Sequence, residues 1–177
     1  MLIQRLSRLT LFWICTTIMS ASNAQVDSSY TLGVGDTIKI VVFEEPDMSF
    51  DVTIGNTGLL SYPYLDELTL IGKTASQVER ELVNGLKGRV LVKPNIAVSV
   101  IEYRPFSIGG EVKNPGNYSY ELRLTVKKAI NLAGGVTEWS NGKRFKIERE
   151  KPIADERFSL DTPVYPGDTL TILPRRF

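Results

Sequence analysis

Two neighbouring stretches constrain this chain more than any others: Phe106–Tyr118, FSIGGEVKNPGNY, and Leu124–Gly135, LTVKKAINLAGG. Phe106, Ile108 and then Val112 alternate with small or polar residues, the period-two pattern of a strand with one buried face. Asn114-Pro115-Gly116-Asn117 supplies turn chemistry. Pro115 presets φ at a turn's second position, and Gly116 can take the positive φ that the third position of a type II turn requires. Tyr118 and Tyr120 resume the alternation and predict a returning strand. Thr125 is placed to cap a helix over Val126–Ala133, where Val126, Ala129, Ile130 and Ala133 fall at helical spacing. Gly134-Gly135 then stops that helix, because glycine past the last turn can adopt the left-handed conformation.

The chain ahead of this unit has its own signals. Thr37–Phe43 reads as a strand, with Ile38, Ile40 and Val42 on one face and Val41 and Phe43 adding apolar weight to the other, which predicts partial cover on both sides. Phe50–Ile54 is a second short strand, ended by the turn Gly55–Gly58. Leu59–Pro63 is a third, which Pro63 confines to an edge or an end. Thr74-Ala-Ser-Gln77 is a capping box. It opens a helix with Ala75, Val78, Leu82 and Leu86 on one face and Gly88 as its stop. Val90–Val92 and Ile96–Ile101 read as strands around Lys93-Pro94-Asn95.

After residue 135, Trp139–Gly142 suggests a turn, Arg144–Arg149 a strand and Lys151–Glu156 a polar connection. The end echoes the beginning. Val164-Tyr-Pro-Gly167-Asp168-Thr-Leu-Thr-Ile172 repeats the pattern of Leu32-Gly-Val-Gly35-Asp36-Thr-Ile-Lys-Ile40. An aspartate after glycine can bond back to nearby backbone N–H groups and hold the turn before a strand. One local solution is expected twice.

Residues 1–24 carry the marks of a secretory signal peptide. Arg5 and Arg8 precede the apolar run Leu9–Met19, and Ser22-Asn23-Ala24 places small residues at −3 and −1, so cleavage is expected after Ala24. The run falls short of the roughly 20 apolar residues of a membrane span. Removing those two arginines from 21 basic residues leaves 19 against 20 acidic, a net charge of −1. That balance is unsuited to nucleic acid, whose binders neutralise phosphates. Cys15, the only cysteine, lies in the apolar run, and the chain has no histidine. Ser–His and Cys–His catalysis and the usual zinc sites are therefore excluded from the secreted part.

Other catalytic signals are weak. Gly72-Lys73-Thr74 lacks the earlier glycine of a phosphate-binding loop, with Glu67 in its place, and Ile38 stands where a dinucleotide fingerprint needs its third glycine. Glu44, Glu45, Asp47 and Asp51 could supply a glycosidase's acid and base, but their setting beside Pro46 reads as a solvated turn. The tyrosines and Trp139 could stack on sugar rings, although strands favour aromatic residues in any case. Arg104, beside Tyr103, reads as the exposed basic contact.

Taken together, GEVKNPGNYSY…LTVKKAINLAGGVTEWS resembles the SLBB (soluble ligand-binding β-grasp) module. YTLGVGDTIKIVVFEEPDM…VTIGNTGLLSYPYL…LIGKTASQVERELVNGLKG…VKPNIAVSVIEY is similar to the periplasmic domain of bacterial polysaccharide export proteins. The residues that carry family character are Gly35, Asp36, Gly58, Pro63, Gly72, Thr74 and Pro94 in the first half. In the second they are Gly110, Pro115, Gly116, Gly134, Gly135, Gly167 and Asp168.

This resemblance implies an α+β protein: a small mixed-sheet export domain over 25–103, then a β-grasp (SLBB-like) module over 104–177 with a C-terminal strand, Thr169–Leu173. It implies a non-enzymatic assembly or conduit subunit for capsule or exopolysaccharide export, periplasmic and associated with the outer membrane, with no catalytic residues, metal or cofactor. The implied partners are the polysaccharide, an inner-membrane polysaccharide co-polymerase and further copies of the chain in a ring. Larger members carry a lipidated N-terminus, extra SLBB copies and a C-terminal helix that crosses the outer membrane. Trp13-Ile14 before Cys15 does not form a lipidation signal, so a separate outer-membrane partner is expected. The alternative is a soluble periplasmic binding module for an oligosaccharide or other small ligand. On either reading the candidate saccharide or subunit contacts are Tyr103, Arg104, Tyr118 and Trp139.

Overall fold

Alternation along Thr37–Val42 produces strand β1, whose Ile38, Ile40 and Val42 side chains are buried. This computed structural model describes residues 30–149 and 159–175, so the expected signal peptide and the polar stretch Lys151–Glu156 lie outside the described residues. β1 is the centre of a three-stranded antiparallel sheet, between β2 (Phe50–Thr53) and β5 (Ile96–Glu102). Ile40 stands opposite Phe50 on one side and Val98 on the other. A two-stranded hairpin, β3 (Leu59–Leu60) with β4 (Leu68–Thr69), and helix α1 (Ala75–Leu86) complete this half. The capping box forms as its sequence predicts: Thr74 Oγ1 accepts from the Gln77 amide at 3.3 Å, and Gln77 Oε1 accepts from the Thr74 amide at 2.7 Å. Val78, Leu82 and Leu86 on α1 join the buried strand residues, Leu32, Ile54, Leu60, Tyr62 and Leu70 in one core.

A second core follows. Strands β6 (Phe106–Gly110), β7 (Gly116–Tyr118), β8 (Phe145–Glu148) and β9 (Thr169–Ile172) form a sheet in the order β7-β6-β9-β8. The central pair, β6 and β9, is parallel, and the flanking pairs are antiparallel. Helix α2 (Val126–Leu132) lies between β7 and β8 in sequence, and its Val126, Ala129 and Ile130 share a core with Phe106, Ile108, Leu170 and Ile172. A helix against a mixed sheet whose first and last strands pair in parallel is the β-grasp arrangement. The protein is α+β.

Cover on the other face of β1 is partial, as expected there: Val41 is half-buried, whereas Phe43, just past the strand, is exposed. Several local expectations differ from this structure. Leu59–Pro63 gives a strand of two residues, after which Tyr62 turns inward and donates its hydroxyl to the Met48 carbonyl at 2.7 Å. Val90–Val92 is not a strand. At Gly88, φ +75°, the chain turns and the Gly88 amide donates forward to Leu91 O, while the Arg89, Val90 and Leu91 amides donate back to Leu86 O, wrapping the chain around the end of α1.

The Pro115-Gly116 turn is also different. Gly116 already belongs to β7 and is not among the glycines of positive φ, whereas Gly110 is, at +77°. The segment between them hangs on the stop of α2: the Lys113 amide donates to Gly135 O and the Asn114 amide to Ala133 O. The strand motif and the Gly-Gly stop therefore form one piece of structure.

Candidate functional site

The type II turn chemistry expected at Pro115-Gly116 occurs instead at the two Gly-Asp repeats. Asp36 N donates to Gly33 O at 3.2 Å, with Gly35 at φ +92°; Asp168 N donates to Tyr165 O at 3.1 Å, with Gly167 at φ +83°. Both are four-residue turns with the positive φ at the third position, and Pro166 presets the second position of the later one. In each, the aspartate reaches back three residues: Asp36 Oδ2 accepts from the Gly33 amide at 2.8 Å, and Asp168 Oδ2 from the Tyr165 amide at 2.9 Å. The expected local solution is used twice, down to the accepting atom.

Each aspartate is then met by an arginine from a distant position. Asp36 is fully buried. It accepts from the Arg104 amide at 2.7 Å, from Arg104 Nη1 at 3.3 Å and from the Tyr30 hydroxyl at 2.6 Å. Asp168 accepts from Arg149 Nη2 at 3.0 Å, and the Arg149 guanidinium also lies 5.1 Å from the centre of the Tyr165 ring. A buried carboxylate is tolerated only when paired and hydrogen-bonded, and both conditions hold at each turn. Burial first, and then the bond to Asp36, raise the Tyr30 pKa well above the ordinary tyrosine value, so this hydroxyl stays a donor.

Arg104 is therefore not the exposed cation that its sequence setting suggests. Its side chain is 18% exposed and is committed to Asp36. Tyr103 beside it is half-buried, edge-on to Tyr30 at 5.0 Å and to Tyr120 at 5.4 Å. Tyr118 stacks on Phe106 and donates to Asn114 O at 2.7 Å. Trp139 alone of the four candidates is openly presented, at 61% exposed. The structure thus brings Tyr103 and Arg104 together at the junction and leaves Tyr118 and Trp139 elsewhere on the second core.

The acidic candidates do not gather into a groove. Glu44, Glu45 and Asp47 are exposed, and Asp51 pairs with Lys39 across β1 and β2 at 3.1 Å. Among the described residues, no group of three or more acidic, histidine or cysteine side chains is positioned to hold a metal ion. Sequence reasoning missed Tyr30, Gly33 and Arg149. The repeated Gly-Asp pattern marks their neighbourhood, but nothing in the spacing identifies the arginine that each aspartate draws in.

Residues 24–101 match the family described as polysaccharide biosynthesis/export protein, and residues 105–160 match the SLBB domain. A Rhizobium meliloti (strain 1021) protein named exopolysaccharide production protein ExoF is 38% identical over 71% of this chain and 32% of its own length. In Ralstonia nicotianae, a protein named EPS I polysaccharide export outer membrane protein EpsA is 30% identical over 68% of this chain and 38% of its own length. Its namesake in Ralstonia solanacearum is 29% identical over 60% of this chain. The chain spans about a third of the length of these relatives. With an export domain followed directly by an SLBB domain, the chain belongs to the bacterial polysaccharide export family.

Proposed function

We propose that this protein is a non-enzymatic assembly and conduit subunit for moving an exopolysaccharide or capsule polymer across a bacterial envelope. The observation that carries this reading is the order of the two matched regions, shared with relatives whose names specify exopolysaccharide production and polysaccharide export. The local chemistry supports it. The buried aspartates, Asp36 and Asp168, are consumed by backbone amides and arginines, an arrangement suited to holding turns in place rather than to exchanging protons with a substrate.

On this reading residues 1–24 are a leader removed after Ala24, residues 25–103 and 104–177 are the two modules, and the protein works in the periplasm, associated with the outer membrane. Copies of the chain assemble with one another and with an inner-membrane polysaccharide co-polymerase. Among the described residues no helix is long and apolar enough to cross a membrane. The proposed partners include a separate outer-membrane protein.

The test is a deletion strain in which polymer is measured in the medium and inside the cell envelope. Polymer of unchanged composition that is retained rather than released supports an export subunit. Released polymer with altered linkages would contradict it and point to an enzyme. A second reading, a soluble module that binds an oligosaccharide, draws on the openly presented Trp139 indole. It predicts saturable quenching of Trp139 fluorescence by polymer fragments, abolished in Trp139→Ala.

A further inference from the structure

Three glycines line one arginine side chain, two of them at its guanidinium. A Cβ placed on Gly33 would sit 1.8 Å from Arg104 Nη1, and one placed on Gly167 would sit 2.7 Å from Arg104 Nε. At Gly35 an added Cβ would lie 3.3 Å from the Arg104 Cβ. Gly33 and Gly35 belong to the turn before β1, in the first core's half of the chain. Gly167 belongs to the turn before β9, in the second. The two Gly-Asp turns therefore face each other across the Arg104 side chain.

Gly35 and Gly167 have positive φ, which alone accounts for glycine there. Gly33 is not among the residues of positive φ. Its backbone has no need of glycine, and what the position requires is the missing side chain.

The residues around Arg104 are fastened from both sides. The Arg104 amide donates to Asp36 in the first half, and Pro105 O accepts from the Gly167 amide at 3.1 Å in the second. Tyr103 bridges Tyr30 of the first half and Tyr120 of the second through edge-on ring contacts. The planar fork of arginine suits this position. It can direct Nη1 to Asp36 while its flat body passes between two backbones, which a lysine ammonium on a flexible stem does not reproduce.

We propose that Arg104 is an inter-module clamp, its guanidinium threaded between the two glycine turns so that the β-grasp module is held at one angle to the export module. Gly33 is the gap that admits it. The clamp makes the pair a single body, and a subunit that must present both modules to neighbours at once needs such a body. The orientational claim itself holds whether or not the chain acts in export.

The test places spin labels on Ser76→Cys in α1 and Lys146→Cys in β8, both exposed positions, in a Cys15→Ser background. The inter-label distance distribution is then measured with electron–electron double resonance. The parent should give a single narrow peak. Gly33→Ala, which keeps Asp36, Tyr30 and Arg104 but fills the gap, should lose that peak and give a broad, shifted distribution with unchanged far-UV circular dichroism. Arg104→Lys should do the same by a different route. Gly55→Ala, where an added Cβ meets nothing within 4 Å, should leave the peak intact. A narrow, unshifted peak in both Gly33→Ala and Arg104→Lys would overturn the proposal. So would unfolding of the first core in both, which would make Arg104 a core support and not a clamp.

Discussion

Asp36 illustrates how much one side chain can hold. It is fully buried and accepts hydrogen bonds from Tyr30, Gly33 and Arg104. Replacing it with Asn keeps the shape but strips the Arg104 guanidinium of its counter-charge. Breaking one side of such a pair costs about 3–5 kcal/mol, and chemical denaturation of Asp36→Asn should read a loss of that order. The capping box offers a smaller, cleaner test. Thr74→Ala removes the acceptor for the Gln77 amide and should lower stability by about 1 kcal/mol in the same assay. Tyr30 sets a pH dependence. Its folded pKa is raised by burial and by Asp36, while in the unfolded chain it ionises near the ordinary tyrosine value of about 10. The folded state thus holds this proton more tightly. Stability from Tyr30 is fully present below about pH 10 and falls as pH climbs beyond it. Tyr62, also raised by burial, adds to the slope. Melting curves of Tyr30→Phe across alkaline pH should show a shallower decline than the parent.

Among the elements, those with two agreeing signals in the sequence formed as read, whereas a single signal sufficed in some places, as the alternation that gave β5 and β8 did, and failed in others. Helix α1 combined a capping box with an apolar stripe, and β1 combined strict alternation with a preceding Gly-Asp turn; both formed as read. Val90–Val92 had only its β-branched residues, and the bonds that wrap it around the end of α1 prevailed. Pro115-Gly116 had turn residues at turn spacing, yet the reversal is governed by Gly110 and by the docking of residues 113–114 on the stop of α2, a tertiary contact that no local pattern records. The site was half legible: the echo of Asp36 and Asp168 was visible, whereas the pairing of Asp36 with Arg104, 68 residues away, depends on how the modules meet. Gly110 carries the element-scale prediction. A Cβ there would lie 2.1 Å from Ile172 O, and φ is +77°. Gly110→Ala should therefore break the end of the parallel β6–β9 ladder, seen as faster amide exchange in β9 than in α1.

At the scale of the whole molecule, the sheet edges among the described residues are the candidate surfaces for association. β2 and β5 border the first sheet, and β7 and β8 the second. Unpaired edges invite association with another chain unless they are blunted. On β5, Glu79 of α1 accepts from the Val98 amide at 3.3 Å and guards that point. If the junction is clamped as proposed, these edges suit copies of the chain to repeat side by side. The proposed assembly is read from the chain's mass in solution by sedimentation equilibrium, alone and with the inner-membrane co-polymerase proposed as its partner. One defined oligomer, several chains in size, is expected in at least one of these conditions. A strict monomer in both would contradict assembly as the mode of action.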